Sequence, residues 1–220
     1  KAPRPLVGDA ASRPLAGAPQ SMAGERSLRS LTGDVRPLSF DELQRPALAV
    51  VVAGVSGSGK TTVGTHLAQR LSARFLDADD FHPAANIAKM ARGEPLDDAD
   101  RRPWLAALNQ ALAMHLESGE SVVLACSALK RAYRDRLTAG LPNAVCVMLS
   151  GSRELLQARV SERQHRFMPA SLLDSQLATL EPLDPLREAV GRWAVDTDRP
   201  VAEILEDIVA TLKAAPAPTS

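Results

Sequence analysis

Residues 54–61 read GVSGSGKT, which fits G-x-x-x-x-G-K-[ST] and follows directly on the apolar run LAVVVA at 48–53. Few eight-residue patterns constrain a fold so strongly. A buried strand must run into a glycine-rich turn and the turn must open a helix. Only then do the backbone N–H groups converge on one anion with a helix N-terminus behind them. Gly57 and Gly59 let the backbone curl. The stretch Gly54, Ser56, Gly57, Ser58, Gly59 is then the candidate cradle for phosphate oxygens, continued by Thr62 on the helix. Lys60 is placed to reach the outer phosphates as a point charge, and the Thr61 hydroxyl to ligate Mg²⁺.

The rest of the chain agrees with that demand. Strands are predicted at 48–53, 74–77, 121–126, 144–149 and 192–196, and helices at 60–72, 84–91, 100–117, 130–138, 152–163, 169–179 and 200–213. The strand runs lack polar alternation, so both faces are buried and the sheet is parallel with helices on either side. Right-handed crossovers give a doubly wound α/β fold of five strands, with ligands at the C-terminal strand ends. Residues 1–46 differ: they hold six of the sixteen prolines and no sustained period, and are predicted to be a disordered extension before a domain at 47–214, with 215–220 a flexible tail. The acidic residues Asp9, Glu25, Asp34, Asp41 and Glu42 argue against a transit peptide there. Lys+Arg and Asp+Glu are 26 each and aromatics only 3%, which disfavours a nucleic-acid partner. No apolar run is long enough for a membrane span, and two cysteines inside apolar runs, Cys126 and Cys146, point to reduced buried thiols in a cytoplasmic protein.

A phosphate loop alone does not say what is done with the phosphate. The N-K-x-D base-recognition pattern of GTP switches is absent from the sequence, and the short distance to the next strand end fits small-molecule kinases. That strand ends in FLDADDFHP, 75–83. Asp77 and Asp79 would share one face if the strand continued through them. Asp79 is the candidate to accept the proton of an attacking hydroxyl, and Asp77 to hold the metal side. Alternatively, Asp77 and Asp79 are both helix-capping or turn carboxylates ahead of Pro83, a role that Asp80 fits better.

Six stretches together resemble the gluconate kinases (gluconokinases) among small P-loop kinases: GVSGSGKTTV (54–63), FLDADDFHP (75–83), NIAKM (86–90), GEPLDDADRRPWL (93–105), CSALKRAYRD (126–135) and FMPASLLDSQLATLEPL (167–183). The resemblance spans residues 48 to about 213. It implies a P-loop NTPase fold of the shikimate/adenylate-kinase type with a helical lid within about 159–182. It implies ATP-dependent phosphorylation of D-gluconate at its 6-hydroxyl, and a homodimer. Where the family has Gly-His before Phe-Met, this chain has Gln164-His165-Arg166.

Gluconate is an anionic polyol, so its site needs cations and hydrogen-bond donors. Lys130 follows a strand end, and Arg134 lies four residues on, on the same helix face. Lys130, Arg134 and Arg101 are unranked candidates for the acid group, and His82, Asn86 and Lys89 add donors; Arg134 could equally pair with Asp135 or another carboxylate at the surface. Trp104, Leu105, Leu108, Leu112 and Leu116 read as a core-facing stripe, and Asp97, Asp98 and Asp100 as acids favouring a helix dipole. Arg159, Arg163 and Arg166, at i, i+4 and i+7, could close over the phosphates, with Arg163 in a catalytic role; alternatively they form a solvated face paired with Glu154 and Glu162. In related kinases the loop corresponding to DTDRP, 196–200, borders the adenine. Two readings compete with a gluconate kinase: a kinase for another sugar acid, polyol or shikimate, and a nucleotide-binding module without catalysis. Only five of the 26 basic residues are lysines, and three of these, Lys60, Lys89 and Lys130, fall in the motifs above.

Overall fold

In a computed structural model of the chain, the residues described are 46–162, 170–184 and 191–214, with the side chains of 170–172 left aside. The elements run β1 Ala49–Ala53, α1 Lys60–Arg70, β2 Arg74–Asp77, α2 Ala84–Ala91, α3 Asp98–Glu117, β3 Val122–Ala125, α4 Arg131–Thr138, β4 Ala144–Ser150, α5 Arg153–Glu162, α6 Ala170–Thr179, β5 Arg192–Asp196 and α7 Val201–Ala214. A short 3₁₀ turn, Ala78–Phe81, follows β2. All five strands are parallel, in the order β2-β3-β1-β4-β5.

Alternation along β1 builds two cores. Ala49, Val51 and Ala53 face Trp104, Leu105, Leu108 and Leu112 of α3, with Tyr133 and Leu137 of α4. Val50 and Val52 face Val63 and Leu67 of α1 and Ile204, Ile208 and Leu212 of α7. Every β1 residue is fully buried, as the unbroken apolar run requires when both sheet faces are covered. A smaller third cluster, Val55, Leu129, Leu156 and Leu173, lies beyond the strand ends. The Trp104–Leu112 stripe is core, as its spacing predicts, and both cysteines are buried thiols. Among the described residues, no helix is long and apolar enough to cross a membrane.

The register fixes the working edge. Val52 of β1 and Asp77 of β2 both pair with Ala125 of β3, so three neighbouring strands end at one level. From there β1 turns at Gly54 with φ 144°, a conformation that L side chains rarely adopt. A Cβ on Gly54 would lie 2.6 Å from Ser58 Oγ and 2.7 Å from the Leu149 carbonyl oxygen. Gly54→Ala should therefore strain the loop and displace backbone that cannot yield, at a cost of about 2–4 kcal/mol. Chemical denaturation of the variant measures this; an unchanged midpoint would show that the turn does not need glycine.

Candidate active site

The phosphate loop has the shape its sequence demands. Gly57 and Gly59 take positive φ, 81° and 91°, and α1 begins directly after Gly59. Ser58 is fully buried, its hydroxyl without a hydrogen-bond partner among the described residues. Lys60 Nζ folds back to donate to the Val55 carbonyl at 3.0 Å, so the ammonium sits over the loop it is expected to serve. Beside the loop, a cleft of about 400 Å³ is lined by Gly57, Gly59, Thr62, Arg159, Thr197 and Ile204 among others. Arg159 is anchored there, donating to Thr197 Oγ1 at 3.3 Å and to the Thr197 carbonyl at 2.9 Å. The 196–200 loop thus borders the same cleft as the phosphate loop. Arg163, Gln164, His165 and Arg166 lie outside the described residues, as do 1–45 and 215–220.

Asp77 and Thr61 come together: the Thr61 hydroxyl donates to Asp77 Oδ2 at 3.4 Å. The strand, however, does not continue through Asp79. It ends at Asp77, whose Oδ1 accepts the Asp79 N–H at 3.1 Å and caps the 3₁₀ turn. The strand-face pairing that continuation would have given is replaced by a turn, and the alternative of a capping carboxylate holds for Asp77, which caps the turn where Asp80 is the better-fitting candidate by sequence. A carboxylate oxygen two residues before an open N–H competes successfully with the next rung of the ladder. Asp79 remains exposed at this edge.

The cations gather on the next strand end. Lys130 Nζ donates to both oxygens of Asp98, at 2.9 and 3.1 Å, and lies 5.4 Å from the centre of the Tyr133 ring. Arg101 lies 5.7 Å from the same ring and donates to the Leu96 carbonyl. The Tyr133 hydroxyl donates to Asp98 Oδ1. That bond first, then Lys130, holds the Asp98 carboxyl below its usual range, and Asp98 in turn holds the Lys130 ammonium above its own. Lys89 is ion-paired with Asp100 at 2.5 Å, which raises it likewise. Asp97 and Asp100 form a capping box at the start of α3, so the acids that favour the helix dipole also neutralise these cations. Asn86, buried, donates to the Asp100 carbonyl.

Arg134 is a correction. It is fully buried, and its Nη1 donates to the carbonyls of Ala128 and Leu129 at 3.2 and 3.0 Å, while Asp135 pairs with Arg192. It neither meets solvent nor pairs with Asp135. It braces the turn at Ala128, whose φ of 42° is strained for a non-glycine residue. Helical spacing puts Arg134 on the Lys130 face but cannot show that the side chain turns inward to carbonyls of the preceding loop. The same spacing gave no role to Tyr133, the chain's single tyrosine, or to Asp98 beyond the dipole; a lone aromatic inside a cationic motif was the signal available.

With this geometry in place, comparison with known proteins is informative. A family described as an AAA domain matches residues 50–183. The thermosensitive gluconokinase of Escherichia coli K12 is 42% identical over 156 residues, 71% of this chain and 82% of that one. The gluconokinase of Gluconobacter oxydans is 51% identical over 132 residues, 60% of this chain and 74% of that one. The chain belongs to the gluconokinase family. A solved gluconokinase from Sinorhizobium meliloti superposes with TM-score 0.66 at 46% identity, covering 77% of this chain and 93% of that one. The gluconokinase relatives thus share the fold that carries the phosphate loop and the cation cluster described above.

His82 connects the two halves of the site. Its ring stacks on Trp104 at 4.4 Å, and Trp104 Nε1 donates to the Ala78 carbonyl, fixing the stack to the turn that bears Asp79. The His82 Nδ1 is buried with no partner among the described residues. Burial lowers its pKa from 6.5; Asp79 opposes this and Arg101 adds to it. Because the folded value is depressed, the unfolded chain binds the proton more readily in the window just below pH 6.5. The contribution of neutral His82 to stability is therefore present above pH 6.5 and lost as pH falls through that window. A ring titration by NMR should give a midpoint below 6.5, moving back toward 6.5 in Trp104→Ala. A midpoint above 6.5 in the parent would mean that Asp79 outweighs burial.

Proposed function

We propose that this protein transfers the γ-phosphoryl group of ATP to the 6-hydroxyl of D-gluconate, giving 6-phospho-D-gluconate and ADP. The observation that carries the reading is the meeting of a phosphate loop, the Thr61–Asp77 contact and a cation cluster beyond neighbouring strand ends, in a chain whose relatives are named gluconokinases. The loop 54–59 with Lys60 and Thr62 takes the ATP phosphates, and Arg159 borders the nucleotide. Arg163 joins it on the phosphates. Asp79 takes the proton as the hydroxyl oxygen attacks the γ-phosphorus and the bond to the β,γ-bridging oxygen breaks. Lys130 and Arg101 take the gluconate carboxylate, with His82 and Lys89 supplying further donors; Arg134 acts through the turn it braces. Thr61 and Asp77 are adjacent hard oxygen donors and fit Mg²⁺, which would neutralise phosphate charge. Residues 47–214 form the kinase domain of a cytoplasmic enzyme, working as a homodimer.

An ADP-release assay over a panel of sugar acids and polyols tests the reading. Gluconate should turn over far faster than glucose or shikimate. Equal rates would remove gluconate as the substrate, and ATP binding with no acceptor-stimulated turnover would leave a binding module. Lys60→Ala should lower turnover by about three orders of magnitude or more. Asp79→Asn should cost about 10²–10⁴-fold with ATP affinity retained. Loss of ATP binding in the Asp79 variant would instead place that residue on the nucleotide.

A further inference from the structure

The phosphate loop is tied to a distant segment by a side chain that none of the roles above uses. The Ser56 N–H donates to Gln176 Oε1 at 2.7 Å, across 120 residues of sequence. Gln176 lies on α6, and Leu173 of that helix is buried with Val55 of the phosphate loop, Leu129 of the acceptor loop and Leu156 of α5. Leu177 and Leu180 pack on the same cluster. Just past the helix, the Glu181 N–H donates to the Leu129 carbonyl at 3.0 Å, and Glu181 Oε2 accepts the Arg131 N–H at 2.7 Å. That N–H belongs to the first turn of α4, where the N-cap residue Lys130 makes no side-chain cap bond. Glu181 thus supplies, from elsewhere in the chain, the carboxylate that a helix N-terminus favours.

Six residues, Gln176 to Glu181, therefore span from a phosphate-loop amide to the helix end that carries Lys130. The Gln176 end is held by a directional hydrogen bond, the Glu181 end by a pair of them, and the middle is packed apolar surface. A shift of Ser56 on filling the loop must either break the Gln176 bond or carry α6 with it. Movement of α6 reaches Lys130 through Glu181 and Leu129. We propose that segment 176–181 is a coupling strap that makes binding of the phosphate donor and of the anionic acceptor mutually favourable, with Gln176 and Glu181 as positioning residues. The inference rests on the gluconate kinase reading and adds to it a linkage between the two substrate sites, which thermodynamics makes reciprocal.

Calorimetric titration with a non-hydrolysable ATP analogue, with and without saturating gluconate, tests the strap. In the parent protein gluconate should tighten the analogue by about fivefold or more, and the analogue should tighten gluconate by the same factor. Gln176→Met removes the acceptor oxygen at similar side-chain size. It should bring both ratios close to one while each Kd measured alone stays near the parent value. Glu181→Ala should do the same, and Glu181→Gln, which still offers an oxygen to the Arg131 N–H, should keep the coupling. That last pair separates the strap from a mere loss of folding. Coupling absent from the parent, or surviving in both Gln176→Met and Glu181→Ala, overturns the strap alone. Failure of gluconate to bind the parent at all overturns the substrate reading and the strap with it.

Discussion

The alignment of three parallel strand ends is the constraint from which the site follows. Val52, Ala125 and Asp77 stand at one level, on strands each about 4.8 Å from the next. The Asp77 backbone is thus about 10 Å from the end of β1, too far to touch its loop directly. The first turn of α1 closes that gap, because the phosphate loop curls back and returns Thr61 to the Asp77 side. The loop 126–130 leaves β3 between them and is tied to the phosphate loop by the Gly54 N–H to the Ser127 carbonyl at 3.2 Å. Phosphate loop, Asp77 and the cation cluster need no special approach of domains. They follow from strand order and register.

A cluster of cations persists only where acids answer it. Lys130, Arg101 and Lys89 lie on neighbouring elements, and their mutual repulsion is offset by acids of one short segment, Asp97 to Asp100. The economy lies in the double use of that segment, since the same carboxylates cap α3 and answer the cations. On the assignment proposed above, an incoming carboxylate would compete with Asp98 for Lys130, so binding would exchange one anion for another. Such an exchange limits raw affinity but favours ligands whose hydroxyls also meet the surrounding donors, which is where discrimination between similar polyols comes from.

Much of this was legible in the sequence, for definable reasons. Fully buried strands read as unbroken apolar runs, and helices as stretches with a period, so the strands and helices fall within about two residues of their expected bounds. The phosphate loop is local, and Thr61 beside Asp77 follows from a strand–loop–helix unit and its neighbour. The strand ends at Asp77 as predicted, but spacing left open whether the carboxylates beyond it shared a strand face or capped a turn, which the Asp79 N–H on Asp77 Oδ1 decides for Asp77. Nor could spacing give Gln176 on Ser56 or Glu181 on Arg131, since such bonds depend on how α6 packs against the strand ends.

Arg134 and Lys130 show why residue type, more than charge, decides these positions. They lie one helical turn apart, and the sequence offers both as cations for the same ligand. A buried charge survives only if its donors are met, and a planar guanidinium can reach two successive carbonyls of a tight turn at once. That brace holds Ala128 at its strained φ, and the strained turn sets where Lys130 emerges at the start of α4. Under the proposed assignment, Lys130, a compact ammonium on a flexible stem, would pass from Asp98 to an incoming carboxylate without remaking a fork geometry. On that assignment arginine stands where a loop must be held rigid, and lysine where a partner must be exchanged.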